Sequence, residues 1–284
     1  MRNEILISAQ ELHAAGDNKV HLVFDCRFIL SDTGSGYRDY VQAHIPGAVY
    51  AHLDHDLSAP VSATSGRHPL PTAAEFAAFL ARSGWRPGII PVAYDHADGS
   101  IAARLWWLMK YFGHDCAVLL DGGFRAWQAA GYELESGQVS TTRSAPINLE
   151  ANVGLVRSTA EILAGLDGKD TMLVDVRAGE RFRGEIEPID PVAGHIPGAV
   201  NYPFQSNLFA DGRFRPTEEI RDELLKLTAN HHPGDLVYMC GSGVTACHAI
   251  FASELAGLEG SKLYAGSWSE WIRDPSRPLV PRSR

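Results

Sequence analysis

The clearest chemical signal in the chain is Leu236-Val237-Tyr238-Met239-Cys240-Gly241-Ser242-Gly243-Val244-Thr245-Ala246-Cys247, where an apolar run ends at a cysteine and a glycine-rich turn leads into helical sequence over 244–255. A strand that stops at Cys240, followed closely by a helix, would aim several unpaired backbone amides and the positive end of the helix dipole at the sulfur. Such a site favours the thiolate, which is the reactive form. A lone cysteine at a strand end is more simply a small core residue. Two glycines in three residues shift that balance, because Gly241 and Gly243 permit the close backbone approach and positive φ that an ordinary strand-to-helix connection rarely needs. Gly241, Ser242, Gly243, Val244 and Thr245 are therefore the candidate binding loop beside a nucleophilic Cys240.

Spacing tests the rival chemistries. Cysteine phosphatases place an arginine six positions after the cysteine so that its guanidinium forks onto the phosphate. Here that position is Ala246. Cys247-His248 has no second pair at metal-ligand spacing, so no metal is expected, and no organic cofactor is indicated. Cys247, most of two helical turns beyond Cys240, reads as a core residue, as do Trp106 and Trp107.

The elements that must position this loop are legible as a duplication. Residues 8–27 and 158–177 align without a gap, so that Ser8 and Ser158, Glu11 and Glu161, Asp25 and Asp175, and Arg27 and Arg177 coincide. His44-Ile45-Pro46-Gly47-Ala48-Val49 then recurs as His195-Ile196-Pro197-Gly198-Ala199-Val200. A repeat this long is a whole domain, not a solenoid unit. Apolar runs at 21–25, 89–95 and 116–121 read as buried strands with helical patterns at 73–83 and 101–112. The second half repeats the alternation, with strands at 172–176, 236–240 and 262–264 and helices at 218–228 and 244–255. Alternating strands and helices predict an α/β fold with a mainly parallel sheet flanked by helices in each half. Ser8-x-x-Glu11, Thr72-x-x-Glu75 and Ser158-x-x-Glu161 each fit a capping box. The expected division is a domain over 1–138, a polar linker over 139–156 and a second domain over 157–284.

The halves differ chemically. The first-half strand matching 236–240 ends at Tyr94-Asp95, which puts a carboxylate where the second half has Cys240, so the first domain is expected to be catalytically silent. The chain has 25 Lys plus Arg against 34 Asp plus Glu and no basic cluster, which argues against nucleic acid and anionic membranes as partners. It shows no apolar signal core and no membrane-length run, and four cysteines in 284 residues without a C-x-x-C do not form a disulfide framework. A cytoplasmic protein is the expectation.

These residues resemble the double-domain rhodanese family of sulfurtransferases, which shows the same duplicated Asp-x-Arg and His-Ile-Pro-Gly-Ala segments with one active cysteine in the C-terminal half. Within it, the loop from Cys240 to Ala246 is similar to that of the 3-mercaptopyruvate sulfurtransferases. Thiosulfate-preferring members tend to carry basic residues just after the cysteine, whereas this loop is neutral. Asp121-Gly122-Gly123-Phe124-Arg125-Ala126-Trp127 and Gly266-Ser267-Trp268-Ser269-Glu270-Trp271 also resemble family segments, so the match spans nearly the whole chain.

The resemblance implies two tandem rhodanese-like domains and a Cys240 thiolate that takes sulfur from 3-mercaptopyruvate as a persulfide, then passes it to a thiol, a thioredoxin-like protein or cyanide. Thiosulfate is the alternative donor, and a persulfide carrier with little turnover of small donors is the alternative class. Arg181 matches the family arginine that binds the donor's carboxylate or sulfonate. The second arginine usual in mercaptopyruvate enzymes is missing from Glu187-Pro188-Ile189-Asp190-Pro191, and Arg183 could replace it only by turning inward. His44 matches a histidine suggested to relay protons with Ser242, although its duplicate, His195, favours a structural role for both.

Overall fold

A computed structural model describes residues 5–16, 20–166, 168, 171–229 and 231–281. The chain divides into two compact units. The first takes the described residues of Met1–Ala59, Leu70–Asn152 and Phe209–Phe214, and the second takes those of Pro60–Pro69, Val153–Leu208 and Arg215–Arg284.

In the first unit β1 (Leu6–Ile7), β2 (His21–Asp25), β3 (Val49–Tyr50), β4 (Ile90–Tyr94) and β5 (Val118–Leu120) alternate with α1 (Ala9–Ala15), α2 (Ser35–Gln42), α3 (Ala73–Arg82), α4 (Ala102–Tyr111) and α5 (Gly123–Ala129). The strands form one sheet in the order β1-β5-β4-β2-β3, and every ladder is parallel. Parallel neighbours need crossover connections, which these helices supply. Val23, Val92 and Leu120 of the sheet pack with Leu12 of α1 and Trp127 of α5 in one core.

The second unit repeats the plan with α6 (Thr159–Ala164), β6 (Met172–Asp175), α7 (Gly179–Phe182), β7 (Val200–Asn201), α8 (Thr217–Thr228), β8 (Leu236–Met239), α9 (Thr245–Leu255), β9 (Lys262–Leu263) and α10 (Ser267–Trp271). Its sheet runs β7-β6-β8-β9, again all parallel. A single parallel bridge, Val156 to Leu263, stands where β1 pairs β5 in the first unit. Leu173, Val237, Met239 and the indoles of Trp268 and Trp271 form the core. Full burial of each such side chain is worth about 1.5–3 kcal/mol.

All three capping boxes form, with Ser8, Thr72 and Ser158 each exchanging hydrogen bonds with the glutamate three residues on. The duplicated polar residues are structural. Arg27 and Arg177 each fork onto the buried carboxylate two residues before them and reach a carbonyl, Ala43 O at 2.6 Å and Gly194 O at 2.8 Å. Each guanidinium lies over an aromatic ring, Phe124 at 4.1 Å and Trp268 at 4.8 Å. Among the described residues no helix is long and apolar enough to cross a membrane.

Candidate active site

β8 is hydrogen bonded on both sides, by β6 and β9, so the residue that follows it has a fixed position at the carboxyl end of the sheet. That residue is Cys240, 2% exposed. The first turn of α10 fastens the loop from outside. Trp268 N donates to Cys240 O at 3.1 Å, Ser269 N donates to Gly241 O at 2.8 Å, and Cys240 N donates to Ser267 Oγ at 3.1 Å. With these two carbonyls held outward, the loop turns Gly243 N onto Cys240 Sγ at 3.1 Å, ahead of the first turn of α9. Only glycine suits position 243: its φ is +76°, and a Cβ there would collide with Ala265 O and lie 3.0 Å from Ala265 C and Cα. An amide donating to sulfur at the head of a helix stabilises negative charge on it.

Ser242, 7% exposed, points its hydroxyl at a histidine, and that histidine is His68, not His44. His68 Nδ1 lies 2.7 Å from Ser242 Oγ, and the residue is 4% exposed. His44 is instead a packing residue of the first unit, with Nδ1 2.7 Å from Tyr40 O and its ring stacked on Tyr40 at 4.2 Å. His195 repeats that arrangement with Phe182, so the duplicated histidines share a structural task. His68 escaped the sequence analysis because 60–69 has no periodicity or repeat to mark it, and because it precedes the cysteine by most of the chain.

The segment Pro60–Pro69 belongs to the second unit through specific contacts. Arg67 N donates to Ser269 Oγ at 3.0 Å, Arg273 Nε donates to Ser65 O at 3.0 Å, and a Cβ at Gly66 would lie 2.6 Å from Gly266 O. The strap is thus threaded against the loop that leads into α10, and Arg67 and His68 are delivered to Cys240 together.

Arg181, the expected anion ligand, projects from α7 with its side chain 15% exposed. Glu187 holds its Nε at 3.2 Å and Nη2 at 2.7 Å, and Asp190 accepts from Nη2 at 3.2 Å. A side chain begun at Gly241 would meet Arg181 Nη2 at 3.7 Å and Nη1 at 3.8 Å, so the guanidinium faces the binding loop. Burial alone would raise the Glu187 carboxyl, but donation from Arg181 and from the Asp190 and Ile189 amides outweighs it and holds the group below the usual carboxylate range. Arg183 does not turn inward; it is exposed and pairs with Glu185 at 2.8 Å.

Position 95 of the first unit has the matching strand-end place, since Asp25 pairs Tyr94 as Asp175 pairs Met239. Its carboxylate accepts from the amides of Ala97 (3.2 Å), Gly99 (3.0 Å), Ile101 (2.8 Å) and Ala102 (3.1 Å). The cradle of the first unit is filled by the chain's own anion. Cys247 is buried in α9 with Sγ 3.3 Å from Gly243 O. Among the described residues, no group of three or more histidine, cysteine or carboxylate side chains is placed to hold a metal ion.

Comparisons with known proteins identify the family. The rhodanese-like domain matches twice, over residues 8–130 and 158–274. A Pseudomonas aeruginosa protein named "Probable 3-mercaptopyruvate sulfurtransferase" is 48% identical over 282 residues, 99% of each chain. Mouse thiosulfate sulfurtransferase is 33% identical, covering 88% of this chain and 84% of its own. Among solved structures, 3-mercaptopyruvate sulfurtransferase from Leishmania major superposes with a TM-score of 0.84 at 31% identity, over 97% of this chain and 76% of that one. With both domain matches, a full-length relative and the cysteine cradle in hand, the chain belongs to the rhodanese-like domain family.

Proposed function

We propose that the protein is a sulfurtransferase that moves sulfur from 3-mercaptopyruvate to an acceptor through a persulfide on Cys240. The observation that carries the reading is the Cys240 sulfur held by Gly243 N with the Ser242–His68 pair beside it. The Cys240 thiolate attacks the donor's sulfur, an S–S bond forms, and the C–S bond breaks with its electron pair passing to the enolate of pyruvate. A proton delivered through Ser242 and His68 to the enolate carbon completes pyruvate. The persulfide then yields its outer sulfur to a thiol, a thioredoxin-like protein or cyanide, and the thiolate returns. The relatives' names support both 3-mercaptopyruvate and thiosulfate as donors for the family. The neutral loop from Gly241 to Ala246 favours mercaptopyruvate here.

No disulfide joins the described cysteines, which suits a reducing compartment, and the proposal places the enzyme in the cytoplasm. It assigns catalysis to the domain over 157–284 together with the 60–69 strap, and leaves the domain over 1–138 silent because Asp95 occupies its cradle. The test is intact mass after brief exposure to 3-mercaptopyruvate or, separately, thiosulfate. A gain of one sulfur, about 32 Da, in the parent and none in Cys240→Ser supports the reading; no gain with either donor refutes it.

A further inference from the structure

Among the described residues, only Ala229 and Ser267 combine a side chain with a positive φ. Ala229 closes α8, a place where a left-handed residue is ordinary. Ser267 instead opens α10, is completely buried and holds φ +54°. The first unit has its counterpart. Gly123 opens α5 with φ +55°, and the residue after it makes the matching bond, Phe124 N to Asp95 O at 2.9 Å against Trp268 N to Cys240 O at 3.1 Å. The first unit thus meets the same backbone requirement with glycine. A Cβ at Gly123 would lie 2.7 Å from Asp95 O and 3.0 Å from Ala97 N, so no side chain fits there. The second unit makes room for a side chain at this place and keeps the strain that comes with it, which points to a use for that side chain.

The use is in the hydroxyl. Ser267 Oγ donates its one proton to Tyr264 O at 2.8 Å, so toward Cys240 N, 3.1 Å away, it can only accept. With Trp268 N on its carbonyl, Cys240 has both backbone polar groups tied to the first two residues of α10. We propose that Ser267 is a positioning residue for the nucleophile: its hydroxyl fixes the Cys240 backbone so that Sγ stays under Gly243 N as the sulfur passes from thiolate to persulfide and back. The inference rests on the sulfurtransferase reading of the same site. Both hydrogen bonds of the hydroxyl go to backbone groups of the protein, so Ser267 acts on the place of the sulfur and not on donor affinity.

The test compares parent, Ser267→Gly and Ser267→Ala. Both variants lack the hydroxyl, but only glycine relieves the left-handed backbone. In single-turnover loading of Cys240 by 3-mercaptopyruvate, both should lower the limiting rate about tenfold and leave the half-saturating concentration unchanged. A second readout does not need sulfur transfer. Alkylation of Cys240 by iodoacetamide, followed by the mass of its peptide, should slow in both variants, because a sulfur that leaves the Gly243 amide holds less negative charge. In denaturant unfolding Ser267→Gly should be at least as stable as Ser267→Ala, the reverse of their order at right-handed helical positions. Parent-like loading or parent-like alkylation in either variant overturns the proposal, and so does a raised half-saturating concentration with an unchanged limiting rate. A clearly more stable Ser267→Ala would show that φ +54° carries no cost and would overturn the argument from strain. If Ser267→Ala fails to fold, Ser267→Gly decides alone. If 3-mercaptopyruvate does not load the parent but both variants slow alkylation, the positioning role stands and the sulfurtransferase reading falls.

Discussion

Gly243→Ala tests the cradle most directly, because one backbone position both fixes the loop and donates to the sulfur. The substitution puts a Cβ on a residue at φ +76°. For an L-residue the left-handed region costs roughly 1–2 kcal/mol. The new Cβ also collides with Ala265 O, a backbone atom that cannot swing away as a side chain would, so the loop must move. Movement pulls Gly243 N off Cys240 Sγ, now 3.1 Å away. A hydrogen bond to a charged group is worth about 1.5–3 kcal/mol, which converts to a loading rate about 10- to 150-fold slower. The assay is the single-turnover rate of persulfide formation by intact mass at saturating 3-mercaptopyruvate, with the melting temperature in parallel. Gly113→Ala is the matched control, since Gly113 has φ +82° with open space around the missing Cβ. Both variants should melt lower, Gly243→Ala by several degrees and the more so, but only Gly243→Ala should load slowly. Parent-like loading by Gly243→Ala, or equal slowing in Gly113→Ala, would refute the reasoning.

Four further outcomes follow from the same geometry. Cys240→Ser abolishes the persulfide whereas Cys247→Ser keeps most activity, judged by pyruvate release; equal loss in both contradicts a single nucleophile. His68→Gln slows pyruvate release about 100-fold while His44→Gln changes mainly the melting temperature, and the reverse pattern would restore His44 to the relay. Asp95→Ala leaves four amides, three of them buried, without their acceptor and lowers stability by about 3 kcal/mol in denaturant unfolding, with Cys240 loading unchanged. The Glu187 carboxyl is held below its unfolded value of about 4.3. Its contribution to stability is therefore complete above that pH and is lost as pH falls through the lower folded value. Unfolding midpoints of parent and Glu187→Gln should differ at pH 7 and converge on acidification; a constant gap would show that the charge is not what matters.

Much of the fold was legible because its signals are local. The capping boxes at Ser8, Thr72 and Ser158 depend on residues three apart, and the strand assignments at 21–25, 172–176 and 236–240 depend on short apolar runs. The difference in residue type at the matching strand ends, Asp95 against Cys240, was legible for a similar local reason: each directly follows a short apolar run, although the pair lies outside the gapless repeat of 8–27 and 158–177. Duplication also warned that His44 has a structural counterpart in His195, and the two rings indeed stack on Tyr40 and Phe182 in the same way.

What the sequence by itself determined is the parallel α/β plan, its duplication and the placement of Cys240 at the carboxyl end of a central strand. What only the tertiary structure decided is the company that Cys240 keeps. His68 lies 2.7 Å from Ser242 although 174 residues separate them in the chain. Arg67 meets Arg181 through Asp190, and neither meeting has a period, a cap or a repeat to announce it. The physical reason is that secondary structure follows from hydrogen bonding and burial over a few neighbouring residues. The 60–69 strap is held instead by pairings such as Arg67 N with Ser269 Oγ, which exist only once a second unit has folded to receive it.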